Sequence, residues 1–101
     1  MVVEDPVLPR EFALRQNAPN PFNPVTVIQY ELPEATRVRI DVFNLAGRLV
    51  KTIVDEGQQP GYKSVAWDGT NADGQKVASG VYLYRMQAGS YESEKTMVLL
   101  K

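Results

Sequence analysis

The feature that most constrains this fold is the repeated alternation of apolar and polar side chains in short segments bounded by turns. From Thr26 to Leu32, Ile28 and Tyr30 point to one face of an extended chain, and Gln29 and Glu31 point to the other. A period of two residues is typical of a β-strand with one buried face. Similar segments follow at residues 36–44, 49–54, 62–68, 81–88 and 91–100.

These segments predict an all-β protein. Turn signals recur about every 8 to 12 residues, and no segment carries a convincing helical pattern. Residues 49–54 also fit one turn of a helix, but we interpret them as a strand. Six or seven short strands, with no helix to cover parallel pairs, indicate an antiparallel β-sandwich.

The predicted core contains most of the aromatic side chains. Trp67 lies on an alternating segment in the position of a core residue, and we expect it to anchor the core. On the segment that begins at Val81, the face formed by Tyr82, Tyr84, Met86 and Ala88 is apolar or amphipathic. We therefore predict that this face points inward.

Residues 17–24, here called the proline segment, carry an unusual concentration of asparagine and proline. The asparagines are Asn17, Asn20 and Asn23, and the prolines are Pro19, Pro21 and Pro24. Proline fixes φ, lacks a backbone N–H and extends the residue before it, so the segment suits neither a helix interior nor a central strand. We expect a rigid extended segment that places Phe22 beneath an edge of the sandwich and protects that edge from aggregation.

Length and composition exclude several classes of function. The chain has 101 residues, enough for one domain with its own core, and a net charge of -1, which gives no basic surface for nucleic acid. Histidine and cysteine are absent, which removes the commonest general base, metal ligands and thiol nucleophile. No apolar run approaches the roughly 18 to 20 residues of a membrane span, and the first residues do not resemble a signal peptide. We expect no direct membrane insertion.

Three candidate chemistries are weak. The loop from Asp68 to Gly74 resembles a calcium loop, but alignment with an EF-hand places Gly69 at the first ligand position and Gly80 at the twelfth, so we predict a simple turn and no metal. The acidic residues are expected in turns or on solvent-facing strand positions, and the serines have no histidine to activate them. We expect no catalytic activity and no cofactor.

A sugar-binding platform is the remaining alternative, because aromatic rings can stack on sugar rings. Its members would be Tyr62, Trp67, Tyr82, Tyr84 and Tyr91. The alternating position of Trp67 favours the core instead.

Three stretches together resemble a known family. They are "LRQNAPNPFNPVTVIQYELP", "VFNLAGRLVKTIVDEG" followed by "WDGTNADGQKVASGVYLYRMQAG", and "KTMVLLK". In order and spacing they are similar to the type A C-terminal sorting domain of the type IX secretion system, also called the Por system. The middle stretch also resembles the Ig-like domain of flagellar hook-capping proteins. The resemblance implies an Ig-like antiparallel β-sandwich of about seven strands.

The resemblance also implies a function and a set of recognition residues. Such a domain is a non-catalytic signal that takes a fused upstream passenger protein through the periplasm and the outer membrane to the cell surface or the medium. Its expected partners are the outer-membrane secretion machinery and a sortase-like peptidase. The residues that match the opening motif and the terminal strand are Asn20, Pro21, Phe22, Asn23, Pro24, Lys95, Met97, Leu99 and Lys101.

Two further expectations complete the interpretation. Residues 1–13 are interpreted as a linker or an expression-derived lead-in, and residues 14–101 as the sorting domain. We expect a receptor to pair with the edge of the final strand, and the lysines Lys95 and Lys101 to be exposed. The alternative function is an accessory Ig-like binding or spacer module of a secreted multidomain enzyme, for carbohydrate or cell-surface attachment.

Overall fold

The computed structural model describes residues 7–101, which form seven strands in two antiparallel sheets. The strands are β1 (Ala13–Leu14), β2 (Thr26–Leu32), β3 (Thr36–Asn44), β4 (Leu49–Gln58), β5 (Gly61–Trp67), β6 (Gly80–Ala88) and β7 (Tyr91–Leu99). One sheet has the order β1-β2-β5 and the other the order β4-β3-β6-β7. The predicted all-β sandwich is confirmed. No helix in the described part of the chain is long and apolar enough to cross a membrane.

The three-stranded sheet is built on β2. Its alternate residues from Thr26 to Leu32 are buried, as the sequence pattern predicts. β5 pairs with β2 along its whole length, from Trp67 opposite Thr26 to Gly61 opposite Leu32. β1 is two residues long and pairs with the end of β2.

The four-stranded sheet is built on β3 and β6. The inward prediction for Tyr82, Tyr84, Met86 and Ala88 is confirmed, because all four are buried. The strand interpretation of residues 49–54 is also confirmed, since they belong to β4. The register between β3 and β4 shifts twice, which marks two irregularities in β4, an edge strand of this sheet.

Trp67 lies at the centre of an aromatic cluster between the sheets. Its side chain is 1% exposed, which confirms the predicted core anchor. Its ring centroid lies 5.7 Å from that of Phe22 and 5.4 Å from that of Tyr82 in tilted and edge-on arrangements. The indole Nε1–H donates a hydrogen bond of 2.9 Å to the Thr70 carbonyl. The ring is therefore buried with its one polar atom satisfied.

The N-terminal part of the described chain also packs on the sandwich. β1 begins at Ala13, and the Phe12 ring stacks on Tyr91 with 5.4 Å between centroids. The interpretation of residues 1–13 as a linker stays a prediction, and residues 1–6 lie outside the described part. The proline segment is neither helix nor regular strand, and the peptide bonds that precede its three prolines are cis.

One acidic residue departs from the expected exposure. Asp41 is only 4% exposed, although the acids were expected in turns or facing solvent, and for Asp41 this expectation is wrong. Its carboxylate accepts hydrogen bonds from Arg39 Nε at 2.9 Å and from the Thr52 hydroxyl at 2.6 Å. These bonds compensate the loss of water around a buried charge.

Candidate recognition site

The proline segment and the end of β7 lie side by side. The Phe22 N–H donates to the Val98 carbonyl and the Leu100 N–H donates to the Phe22 carbonyl, each over 2.9 Å. Phe22 and Leu99 thus form a parallel bridge. The Phe22 side chain is 2% exposed, so its predicted position beneath the edge is confirmed. The structure brings the predicted opening motif and the predicted terminal strand into direct contact.

Two polar side chains cover more of the same edge. Asn20 Oδ1 accepts a hydrogen bond of 2.9 Å from the Val98 N–H, and Gln16 Nε2 donates one of 2.7 Å to the Thr96 carbonyl. The Thr96 carbonyl, both backbone groups of Val98 and the Leu100 N–H are therefore already bonded within the chain. Pairing of a receptor with this edge stays a prediction, and between Val98 and Leu100 it requires the proline segment to leave.

A buried polar network fixes the start of the proline segment. The Tyr84 hydroxyl donates to the Arg15 carbonyl at 2.7 Å and accepts from the Asn17 N–H at 2.8 Å. The Asn17 side chain donates to the Thr26 hydroxyl at 2.9 Å, and that hydroxyl donates to the Pro19 carbonyl at 2.8 Å. Asn17 and Thr26 are buried, at 3% and 0% exposure. Their role was not predicted, because it depends on Tyr84, which is distant in sequence.

Burial also shifts the acidity of the tyrosine in this network. It raises the pKa of Tyr84 to about 12, while the hydrogen bond from Asn17 acts in the opposite direction. The hydroxyl therefore stays protonated at ordinary pH and keeps its donor role toward Arg15.

A cavity of about 280 Å³ lies next to the contact between the proline segment and β7. Asn23 and Pro24 line it on one side, and Leu99 and Lys101 on another. The loop after β5 closes it with Gly69, whose φ of 74° is in the left-handed region. A Cβ on Gly69 would come 3.4 Å from the Pro24 carbonyl oxygen, an ordinary contact distance, so the left-handed φ and not the available space favours glycine.

The predicted recognition residues of the terminal strand thus differ in their exposure. Met97 and Leu99 are buried and support the fold, and Lys101 is exposed. Lys95 is half-buried and lies opposite Tyr84 on the inward side of β7, so the expectation of a fully exposed Lys95 is wrong. Its register position places it on the same side as Met97 and Leu99.

The loop that resembled a calcium site uses its polar side chains to hold its own turns. Asp68 Oδ1 accepts from the Thr70 hydroxyl at 2.5 Å, and Asn71 Oδ1 accepts from the N–H groups of Asp73 and Gln75, each at 3.0 Å. The Thr70 hydroxyl lowers the pKa of Asp68, and Lys51 acts in the same direction. Within residues 7–101, no three acidic side chains are grouped closely enough to hold a metal ion.

The aromatic platform considered for sugar binding does not form. Trp67, Tyr82 and Tyr84 are buried between the sheets. Tyr62 is 61% exposed on β5, and Tyr91 is half-buried against Phe12. The five rings therefore share no common surface.

Comparison with known proteins places the chain in a family. The sequence pattern of the FlgD Ig-like domain matches residues 23–92, more than half of the chain. The chain belongs to the FlgD Ig-like domain family. The predicted relation to the Ig-like domain of hook-capping proteins is thereby confirmed. No curated protein matches the sequence.

This FlgD Ig-like domain is also similar to parts of two solved structures. Dimeric latent PorU from Porphyromonas gingivalis matches with a TM-score of 0.71 and 21% identity over 97% of this chain and 10% of that one. PorZ, a surface component of the type IX secretion system of the same organism, matches with a TM-score of 0.59 and 20% identity over 89% of this chain and 11% of that one. The chain spans about a tenth of the length of these proteins, which share its fold.

Proposed function

We propose that this chain is a non-catalytic C-terminal sorting domain. It directs an attached passenger protein through the outer membrane by the type IX secretion system and toward cell-surface attachment. Its partners are the outer-membrane secretion machinery, a sortase-like peptidase and the fused upstream passenger domain. The passenger reaches the cell surface or the medium after passing through the periplasm.

The observation that carries this proposal is the contact between the opening motif and the terminal strand. The two sequence stretches that resemble sorting domains are distant in the chain, yet Phe22 and Leu99 form a bridge and Asn20 bonds to Val98. A partner that approaches this end meets both stretches as one surface. The fold shared with part of PorZ, a surface component of the type IX secretion system, supports the same proposal.

A reporter fusion tests the export role. Residues 14–101 are placed after a signal peptide and a neutral reporter, and the fusion is produced in a host that has the type IX system. We expect the reporter on the cell surface or in the medium. A fusion without the domain, and the same fusion in a host that lacks the system, should stay in the periplasm.

A charge reversal then tests whether the secretion machinery recognises the surface where the proline segment meets the end of β7. Removal of residues 97–101 would confound export with unfolding, because Met97 and Leu99 are buried. Lys101→Glu changes an exposed residue at the cavity and should lower export without lowering stability. Arg48→Glu makes the same charge change on the exposed turn between β3 and β4 and should not alter export.

The result of the reporter experiment also distinguishes the export role from the alternative function as a spacer or attachment module. The FlgD Ig-like pattern ends at residue 92 and begins at residue 23, so it omits Asn20, Phe22 and the end of β7. If the folded fusion stays in the periplasm of a host with the type IX system, the export proposal fails, and the spacer or attachment role becomes the better account.

A further inference from the structure

The side of the sandwich formed by β4 and β5 lacks a covering strand. The β4 edge belongs to a sheet of four strands, and the β5 edge to a sheet of three. Glu56 in β4 lies opposite Val38, which is fully buried in the core, so both point to the interior side of their sheet. Glu56 is nevertheless exposed. No strand of the other sheet therefore covers this part of β4.

The edge of β5 presents backbone groups that the described chain does not bond. In β2, the backbone groups of Val27 bond to Ala18, and the Gln29 carbonyl accepts from the Arg15 N–H, both on the side of β1. The residues between them must therefore bond to β5, and antiparallel pairing uses every second residue. In β5 this leaves Tyr62, Ser64 and Ala66 with their N–H and C=O groups directed to the open side. The side chains of these three residues are also exposed.

The β5 edge differs from the other long edges, which are protected. β4 carries two register irregularities and the charges of Asp55 and Glu56. The end of β7 is covered by the proline segment. β5 pairs with β2 in an unbroken register and contains no proline, and its one charged residue, Lys63, lies on the interior face and leaves the exposed face uncharged. Edges with these properties readily pair with another chain.

A groove beside this edge indicates which side chains a strand paired with β5 needs. It has a volume of about 300 Å³, with Ile53, Ala66 and Trp67 among its lining residues. At one end Lys51 Nζ lies 4.0 Å from Asp68 Oδ1. Lys51 and Asp68 are the charged residues among its lining and offset each other, so the groove favours a segment without charge.

We propose that an uncharged extended segment of another polypeptide adds antiparallel to β5 and fills this groove. Its backbone bonds to Tyr62, Ser64 and Ala66, and the three-stranded sheet gains a fourth strand that matches the four strands of the sheet opposite. Every second side chain of the segment is apolar and packs near Ile53 and Val65. This is recognition by strand addition, in which the backbone supplies affinity and the alternate side chains supply selectivity. The inference does not rest on the export role.

Hydrogen exchange measured by NMR tests the proposal on the whole chain. The probe is a synthetic peptide, SQTVTVTQS, capped at both ends. At a peptide concentration ten times its dissociation constant, exchange at the amides of Tyr62, Ser64 and Ala66 should slow by about elevenfold, as expected from mass action. The amides of Lys63 and Val65 bond to β2 in the free protein, so they should already be slow and change little.

Two matched controls make the result specific. The peptide SQTVPVTQS lacks the central N–H and should protect the three amides at least about tenfold less. Ser64→Pro removes a donor from the open edge and should abolish binding, whereas Ser64→Thr should preserve it. If Ser64→Pro does not fold, the comparison of the two peptides on the unaltered chain decides.

Three results would overturn the proposal. The first is no protection of the three amides by the probe. The second is equal protection by both peptides. The third is protection that appears without peptide and grows with protein concentration, which would assign the edge to a second copy of this chain.

Discussion

The two lateral sides of this sandwich are completed in different ways. On the β7 side, the chain's own proline segment bonds to the strand edge and buries Phe22 beneath it. On the β5 side, the edge is regular, carries no charge on its exposed face and is unbonded within the described residues. The difference shows that a small sandwich can close one edge with an irregular segment and leave the other available to a second chain.

The closed side also shows how a segment poor in backbone donors can cover a strand. Its three prolines supply no N–H group, so a regular ladder with β7 is impossible. Phe22 supplies the one pair of backbone bonds, and the side chains of Asn20 and Gln16 supply the others. The side chains of Asn20 and Gln16 act here as replacements for missing peptide groups.

The largest expected effect on this comparison comes from Phe22→Ala. The substitution empties a buried site against Trp67 and should lower the free energy of unfolding by about 3 to 5 kcal/mol. Tyr62→Ala on the open side removes a side chain that is 61% exposed and should change the free energy of unfolding by less than about 0.5 kcal/mol. Urea unfolding followed by the fluorescence of Trp67 measures both. Similar losses for the two variants would mean that the sides do not differ in stability.

An intermediate effect is expected from Tyr84→Phe, which removes the hydroxyl that links Arg15 and Asn17. The loss leaves a buried N–H and a buried carbonyl without their partner and should cost about 1 to 3 kcal/mol. Because the pKa of Tyr84 is raised to about 12, its contribution is complete below pH 10 and is lost as the pH rises toward 12.

The pH dependence provides the check on this assignment. The folded protein holds the Tyr84 proton at a pH where the unfolded chain releases it, so stability must fall with rising pH. Burial also raises the pKa values of Tyr30 and Tyr82, so Tyr84→Phe should weaken the alkaline loss without abolishing it. Unfolding curves at several pH values between 9 and 12 compare the two proteins. An unchanged alkaline slope would remove Tyr84 from the explanation.

The sequence predicted the strands and their buried faces because alternation is a local signal. Residues from Tyr82 to Ala88 carry their orientation in their own order of side chains. β1 was missed because two residues are too short to show a period. The burial of Asp41 and the half-burial of Lys95 depend on neighbours from other strands. The cover on β7 depends on contacts between residues about 80 positions apart in sequence.

The smallest expected effect isolates a single hydrogen bond of the closed side. Asn20→Ala removes the acceptor of the Val98 N–H at an exposed position, and we expect a loss of about 1 kcal/mol or less. Exchange of the Val98 amide should accelerate by up to about fivefold, since 1.4 kcal/mol corresponds to a factor of ten. Ser64→Ala is the control on the open side, because the Ser64 side chain is exposed on an unbonded edge, and it should leave Val98 exchange unchanged. If Asn20→Ala leaves Val98 exchange unaltered, the asparagine does not close this edge, and the backbone bonds of Phe22 alone account for the difference between the two sides.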